Sequence, residues 1–502
     1  MRASTEVLIC GGGPAGLTLA IELARRGINL RLLERREQPF HGSRGKGIQP
    51  RSQEIFEDMG IIDRLFASGG RYPAVRIHYA NGSSSDTDVI EHGIATPAEP
   101  YRQALMVPQY LTEAVLRERL AELGHAVEFG HDLIGFEPTA DGVVAQIASP
   151  DGEQRLHARY LIGADGARSL VRQTLGIDFP GRSLGVHAVV ADIVLSGLPR
   201  DAWHCFNEDD VARQIWLCPL MGTPLFQLQA PLALKSEVDL STAGLHALVR
   251  ARTRRNGIKV QHVAWASAYQ MSARLADHYR DGRVLLVGDA AHAHPPTGAQ
   301  GLNTSAQDAY NLGWKLAAVV RGAAEQLLDT YEQERRPIAA SMLELSIRLL
   351  DNAQRGDYRR GREVQQLDLG YRDSSLSLSL PRRPSGHRLV VGGRAPDARL
   401  HAAGGQSRRL FEIFKGTHWT LLGYQAEYSI VPARTQLQVW TIGETGLLRD
   451  DNGHFAEAYG LTPGQWVLVR PDGYVAALAE SERLNAVLAH LDTITGRHQS
   501  PQ

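Results

Sequence analysis

An α/β chain with a mostly antiparallel sheet set into it, followed by a smaller α/β domain, is the fold that this sequence predicts. Three observations predict it. A short apolar run, Glu6-Val7-Leu8-Ile9-Cys10, stops at a glycine-rich turn that leads into helical spacing; a run that short and that apolar reads as a buried strand. The same order of strand, turn and helix returns at Arg159–Arg172 and again at Arg283–Asn303. Between those two, from about residue 180 to 275, the texture changes to alternating, aromatic-bearing runs, as in strands with one covered face.

Composition sets the outer limits. The 502 residues are enough for two or three domains, and 43% hydrophobic with 22% charged residues is ordinary for a globular chain. Fifty-four Lys and Arg against 55 Asp and Glu give a net charge of −1, so nothing draws the chain to nucleic acid or an anionic membrane. Cys10, Cys205 and Cys218 are too few for a disulfide framework and have no metal-ligand spacing. No apolar run approaches a membrane span, and the first strand follows no signal-peptide region. A cytoplasmic protein without a metal is expected.

Gly11-Gly12-Gly13-Pro14-Ala15-Gly16 follows the first strand and spells G-x-G-x-x-G. The first glycine permits the tight turn, the second lets backbone approach a pyrophosphate, and the third lets the helix close on the strand. Leu17, Leu19, Ala20, Leu23 and Ala24 mark one face of a helix that Gly27 ends. Leu30-Arg31-Leu32-Leu33 then delivers Glu34, with Arg35 beside it; a carboxylate there takes ribose hydroxyls. The motif alone is weak. Set between strand, helix and acid, it predicts an adenine dinucleotide in a Rossmann-like domain.

Ser43–Phe56 interleaves Arg44, Lys46 and Arg51 with glycines ahead of a helix, which suits a phosphate or ribityl contact and a solvated loop equally. Another helix opens near Gln109, with Leu111, Val115, Leu116 and Leu120 on one side; Gln109 is either a ligand contact or a polar cap. Asp165-Gly166 ends the strand Arg159–Gly163, and Ser169 and Arg172 after it make a second corner suited to an anion. Val189–Leu195, Gln214–Leu220, Leu225–Ala230 and Val260–Met271 form the inserted sheet, read as the cover of a substrate chamber. Tyr72, His204, Gln227, Tyr269 and Pro295 are candidate substrate contacts. The strand Arg283–Val287 runs into Gly288-Asp289, a Pro295-Pro296 turn, Gly298 and Gly301, and a loop of that kind before a helix start offers free backbone N–H groups. Helical spacing then continues to about residue 352. The domains are read as 1–71, 101–179 and 276–352 for the dinucleotide; 72–100 and 180–275 for the inserted sheet; 353–384 as an Arg-, Asp- and Ser-rich linker; and 385–502 as a terminal α/β domain.

Gly11–Gly16 with Glu34, the Asp165-Gly166 strand end, and Gly288-Asp289 with its Pro-Pro loop form a set. It resembles the flavin-dependent aromatic hydroxylases of the para-hydroxybenzoate hydroxylase type, the single-component group A monooxygenases, over roughly residues 5 to 350. Tyr331–Pro337 is similar to that family as well. Gly392–Asp397 and Val467–Gly473 are similar to the C-terminal thioredoxin-like domain of its larger members, which act on phenols, phenylpropionates, polyketides and antibiotics. This tail has no Cys-x-x-Cys, which excludes dithiol chemistry.

The resemblance implies non-covalent FAD, NADPH or NADH as co-substrate, O2, and hydroxylation of a phenolic or polycyclic aromatic through a flavin C4a-hydroperoxide. It gives Gly11, Gly13, Pro14, Ala15 and Gly16 to the pyrophosphate and Glu34 with Arg35 to the adenosine ribose. Arg44 and Gln109 go to the phosphate and ribityl chain, Asp289 to the ribityl chain, Asp165 to the motif shared by FAD and nicotinamide binding, and Gly288 is a further cofactor contact. Pro296 places a carbonyl beside the reactive flavin carbon; past Gly298 and Gly301, Leu302 and Asn303 present N–H groups to N1 and O2. Reduced flavin carries negative charge there. A helix N-terminus supplies up to ~2 kcal/mol and a well-aimed donor roughly 3 kcal/mol, enough at ~1.4 kcal/mol per pKa unit to keep the flavin anionic. Many members carry glycine where this chain has Ala299, a departure that bears on the shape of the loop. No base for a substrate phenol is assigned. Baeyer–Villiger oxidation, epoxidation, antibiotic-inactivating oxygenation and FAD binding without turnover fit the same scaffold, and a homodimer is compatible with it. A flavin halogenase is not, because Trp-x-Trp-x-x-Pro is absent.

Overall fold

The computed structural model describes residues 4–233, 237–380 and 389–496. Its first sheet is built on Ser4–Cys10, parallel between Gly152–Gly163 and Leu30–Glu34, with Val284–Leu286 and Val127–Phe129 continuing it in parallel on either side. Parallel strands are covered on both faces, and Val7, Leu8, Ile9, Leu32 and Leu161 are fully buried. The helix Pro14–Ala24 is enclosed rather than one-sided: it packs on the sheet, on Gln109–Glu122 and on Gln300–Val320, and every residue from Ala15 to Leu23 is buried.

The second sheet has eight strands in the order His292–Ala293, Lys259–Leu275, Gly181–Ser196, Phe226–Leu232, Ile215–Pro219, Trp203–Phe206, Val75–His78 and Ser84–Thr87. It is mostly antiparallel, as expected; Trp203–Phe206 and Val75–His78 run parallel. The alternation did not disclose the helix Thr242–Thr253, whose N-cap Ser241 accepts the Gly244 N–H at 3.1 Å. Val189, Ala191, Ile193, Phe206, Leu217 and Leu228 pack under it with Leu245 and Val249. Period two then puts Asp192, Trp203, Cys205, Trp216, Cys218, Gln227, Trp265 and Tyr269 on the opposite face. That face looks toward the first domain, where Trp265 meets Phe40 edge-on at 5.4 Å.

The terminal domain carries a seven-stranded sheet. Within it Leu437–Ile442, Trp419–Tyr424, Gln465–Val469 and Val475–Glu480 lie in that order, the first pair parallel and the others antiparallel, a thioredoxin-like arrangement. The three cysteines are free, buried and outside it.

The stretch read as a linker is packed. Val364, Gln366, Leu367, Tyr371 and Leu376 are buried, and the Arg360 backbone bonds to Val89 and Glu91. Several of its charged residues are paired, Arg362 with Glu99 and with Asp368 at 2.6 Å each, so much of the polarity here reflects ion pairs rather than a loose connection. The expected junction at 384 and 385 lies outside the described residues, as do the outer limits at 1 and 502.

Candidate active site

Two glycines of the first turn are required by the chain itself. Gly11 sits at φ +116°, and a Cβ there falls 2.2 Å from the Ala164 carbonyl oxygen; at Gly16 it falls 1.9 Å from the Gly11 oxygen. Gly13 differs: no protein atom lies within 4 Å of where its Cβ would stand, although it caps the helix Pro14–Ala24 without a side-chain bond. Space and free amides at one point suit an anion. Glu34 closes the turn, its Oε2 accepting the Gly12 N–H at 3.0 Å and its Oε1 the Arg36 N–H at 3.1 Å. Arg35 is exposed.

Gln109 ties two segments together. Its Oε1 accepts the Gly45 N–H at 3.1 Å, and its Nε2 donates to Glu113 Oε1 at 2.8 Å. Glu113, which the sequence did not single out, is buried, and burial pushes its carboxyl up to about 7. Arg44 is exposed, with its guanidinium 5.4 Å from the Phe40 ring centre. Asp289 is open to solvent yet crowded by protein, which raises its carboxyl; His292 and Arg44 act against that rise. Asp165 Oδ2 accepts the Val171 N–H at 3.2 Å, whereas its Oδ1 is buried without a partner. The anion corner expected beside it is not there. Ser169 caps the next helix, and Arg172 donates to the Ala290 and Ala167 carbonyls at 2.8 and 3.0 Å, bracing the turn after Gly288.

That turn opens the second half of the site. Gly288, at φ +61°, crosses so close that a Cβ meets Ser305 Oγ at 2.9 Å and Ala15 Cβ at 3.0 Å. Below it His292 Nε2 meets Asp308 Oδ2 at 2.6 Å and Arg335 Nε meets Asp308 Oδ1 at 2.7 Å, all three fully buried. Burial pushes the Asp308 carboxyl up, but Arg335 and His292 together hold it below its ordinary value. Pro295 is buried inside the loop and Pro296 is exposed, so a substrate contact by Pro295 has no support in the geometry. Gly298 (φ +77°) and Ala299 (φ +55°) are both left-handed: the alanine keeps the shape that glycine would adopt. Ala299 caps Gln300–Val320 with no side-chain bond, leaving first-turn N–H groups without an intrahelical acceptor. Around Gly301 a Cβ again finds nothing within 4 Å. Leu302 is half-buried near Gly45. Asn303 is fully buried; its Oδ1 accepts the Gln49 N–H at 2.8 Å, and its Nδ2 donates to the Gly47 and Ala299 carbonyls at 2.9 and 2.7 Å. It locks the helix start to the Gly45–Gln49 loop, a side-chain role the sequence did not suggest. Two open glycine cradles, two uncapped helix starts and the orphaned Asp165 oxygen fit FAD.

Over this loop stands the polar and aromatic face of the second sheet. Tyr72 approaches Gly47, and its ring lies 6.3 Å from that of Trp203. Gln227 is fully buried; its Oε1 accepts Lys46 Nζ at 2.6 Å and its Nε2 donates to the Ser43 carbonyl. Lys46 therefore serves the sheet side rather than a phosphate. Tyr269 shares this face, its phenol pushed up to about 12 by burial. His204 does not: it pairs with Leu217 on the helix-covered face. Arg255 donates to His78 Nδ1 at 3.1 Å, so the His78 proton sits on Nε2 toward His204 Nδ1 at 2.9 Å, and His204 Nε2 donates to the Pro199 carbonyl at 2.9 Å. With both nitrogens engaged, His204 is no base. The sequence missed Asp192, Trp203, Trp216, Tyr358 and Arg360. A lone carboxylate within the apolar run Val189–Leu195 was a usable signal; a charged residue inside an Arg-rich stretch was not.

Residues 4–346 match the FAD binding domain family, and residues 387–497 match the C-terminal domain of aromatic-ring hydroxylases. A flavin-dependent monooxygenase of Mycobacteroides abscessus is 39% identical over 484 residues, covering 95% of this chain and 98% of its own. The 6-methylpretetramide 4-monooxygenase of Streptomyces rimosus is 32% identical over 97% of this chain and 93% of its own. Among solved structures, aklavinone-11 hydroxylase in a ternary complex with FAD and aklavinone superposes with a TM-score of 0.83 at 28% identity, over 99% of this chain and 100% of that one. The likeness runs along the whole chain, which belongs to the FAD-dependent aromatic monooxygenases.

Proposed function

We propose that this monooxygenase uses NAD(P)H and O2 to hydroxylate a polycyclic phenol of the polyketide type, held between the second sheet and the 288–303 loop. The observation that carries this reading is the aromatic face over that loop. Tyr72, Trp203, Trp216 and Tyr269 lie on it, and Tyr358 packs on Trp216 at 5.0 Å. Flat aromatic walls suit a flat, fused-ring ligand. The relatives named for 6-methylpretetramide and aklavinone support that choice of substrate.

Bound FAD supplies acceptance of a hydride from NAD(P)H and activation of O2. The chain supplies the rest. The uncapped start of Gln300–Val320 would favour negative charge on a flavin bound there, and the Asn303 side chain keeps that start in place. The exposed Pro296 supplies a carbonyl at the loop tip. The sheet excludes water, and His292–Ala293, paired to Lys259–Leu275, stitches lid and loop together.

The test is a set of hydroxylated anthraquinones and tetracyclic polyketides added to the purified yellow protein, with NADPH oxidation and product mass followed. Faster oxidation with a product one oxygen heavier is expected. No stimulation, or oxidation that yields hydrogen peroxide alone with every compound, would overturn the reading.

A further inference from the structure

The packed stretch after Gln354 brings a cation into the chamber. Arg360 is held by main-chain bonds, its N–H donating to the Val89 carbonyl at 2.8 Å and its carbonyl accepting the Glu91 N–H at 3.0 Å. Its neighbour Tyr358 seals against Trp216 and takes a hydrogen bond from Gln214. Among the described residues nothing gives the Arg360 guanidinium a hydrogen bond or an ion pair, and the side chain is only partly exposed. Its electrostatic neighbours are the Tyr72 hydroxyl and the Lys46 ammonium. Lys46 is buried, 4.4 Å from the Trp203 ring centre, and its hydrogen-bond acceptor is the neutral Gln227 amide.

Lys46 and Arg360 act on each other, and Arg360, which has no carboxylate partner among the described residues, is costly to leave unpaired. The other groups acting on Lys46 are the neutral Cys218 thiol and Asp192, which is buried beside Ser43 and whose carboxyl burial raises to about 6. Burial lowers both the Lys46 ammonium and the Arg360 guanidinium from their ordinary values. An anion arriving at the corner relieves all of this at once.

Resting on the monooxygenase reading, we propose that Arg360, Lys46 and the Tyr72 hydroxyl form an oxyanion corner that selects the substrate as its phenolate or enolate. The phenol O–H breaks before or during binding, its proton passes to bulk water, and the oxygen anion enters the corner. The electron pair left on oxygen enriches the ring that is to be hydroxylated, so the reaction needs no side-chain base. Substrate preference follows: an acidic phenol or enol is accepted, and its methyl ether is not.

The probe is 1,2-dihydroxyanthraquinone on the FAD-loaded protein, because its anion absorbs to the red of oxidised flavin. The bound dye is expected to ionise at least about one pH unit, tenfold in its constant, below the free dye. The 2-methyl ether is expected to bind at least tenfold more weakly at pH 8. Arg360→Gln should keep its FAD but lose most of the shift, and Arg360→Lys should restore much of it. A bound dye that ionises no lower than the free one overturns the corner, as does an ether that binds equally well or a shift that Arg360→Gln leaves intact. Failure of the monooxygenase reading looks different: the dye binds as its anion, yet no hydroxyaromatic gains oxygen.

Discussion

Gly11 and Gly13 are the same residue two positions apart, kept for opposite reasons. Gly11→Ala forces a Cβ into the Ala164 carbonyl at a left-handed φ, so a large loss of thermal stability is expected whether or not FAD is present. Gly13→Ala meets no protein atom; the apoprotein should melt within a degree or two of the parent while FAD retention falls. Equal melting losses for the two would refute the distinction. Ala299 carries strain of another kind. A left-handed backbone costs an L-residue roughly 1–2 kcal/mol, of which glycine returns about half through its freer unfolded chain, so Ala299→Gly should stabilise the fold by roughly 0.5–1 kcal/mol in urea unfolding. Glu113 links to pH. Its folded value, about 7, lies above the ordinary carboxylate value, so the folded state holds a proton that the unfolded state releases, and stability falls as pH rises from about 4.5 to 7. Glu113→Gln removes this cost; a gain of about 1–3 kcal/mol at pH 8, shrinking toward pH 4, is expected. A gain independent of pH would show that burial is not the cause. At this scale the sequence disclosed what local backbone geometry demands, such as Gly11, Gly16 and Glu34. It did not disclose Glu113 or Arg360, whose meaning comes from distant neighbours.

Among elements, the start of Gln300–Val320 is held from two sides. Asn303 secures it to Gly47 and Gln49, and Asp308, one turn further on, secures it to His292 and Arg335. Asp308 titrates below its ordinary value in the folded chain. Its contribution is therefore complete above about pH 4 and is lost as pH falls through the lower folded value. Asp308→Asn leaves the Arg335 charge buried and uncompensated, for which a loss of about 3–5 kcal/mol is expected; calorimetry at pH 7 that finds less than about 1 kcal/mol would contradict the role. The strand–turn–helix units were legible because each is specified within some twenty consecutive residues. The helix Thr242–Thr253 was not, since a run of strands gives no sign of what covers one face. His204 and Gln227 show the same limit: both lie in readable strands, and only the register separates the covered face from the chamber face.

Across the whole molecule, the terminal domain is bolted to the first by buried charge. Arg470 bonds Glu334 and Asp472 at 2.6 Å each, Lys315 bonds Glu334 at 2.6 Å, and Trp314 donates to Asp472 at 2.9 Å. Every residue assigned to FAD lies at or before Asn303, which invites removal of the tail. A chain ending at residue 380 would leave Lys315 and Glu334 without Arg470 on a newly exposed apolar face that includes Trp314. It is expected to aggregate or to melt well below the parent; a soluble fragment that keeps its FAD would show the bolt to be dispensable.

The sequence by itself determined the two dinucleotide turns, the acid that follows the first, the inserted sheet and the family. Those features depend on φ, on periods of two and 3.6, and on contacts a few residues apart, all of which one stretch of chain encodes. The tertiary structure decided that His204 faces away, that Arg172 braces a turn, that the Arg-rich stretch packs on the inserted sheet through Tyr358 and Trp216, and that Arg360 acts electrostatically on Lys46 and Tyr72. Each of these is a distance between segments far apart in the chain. Charge and polarity acquire an energy only once the neighbours that screen or pair them are fixed.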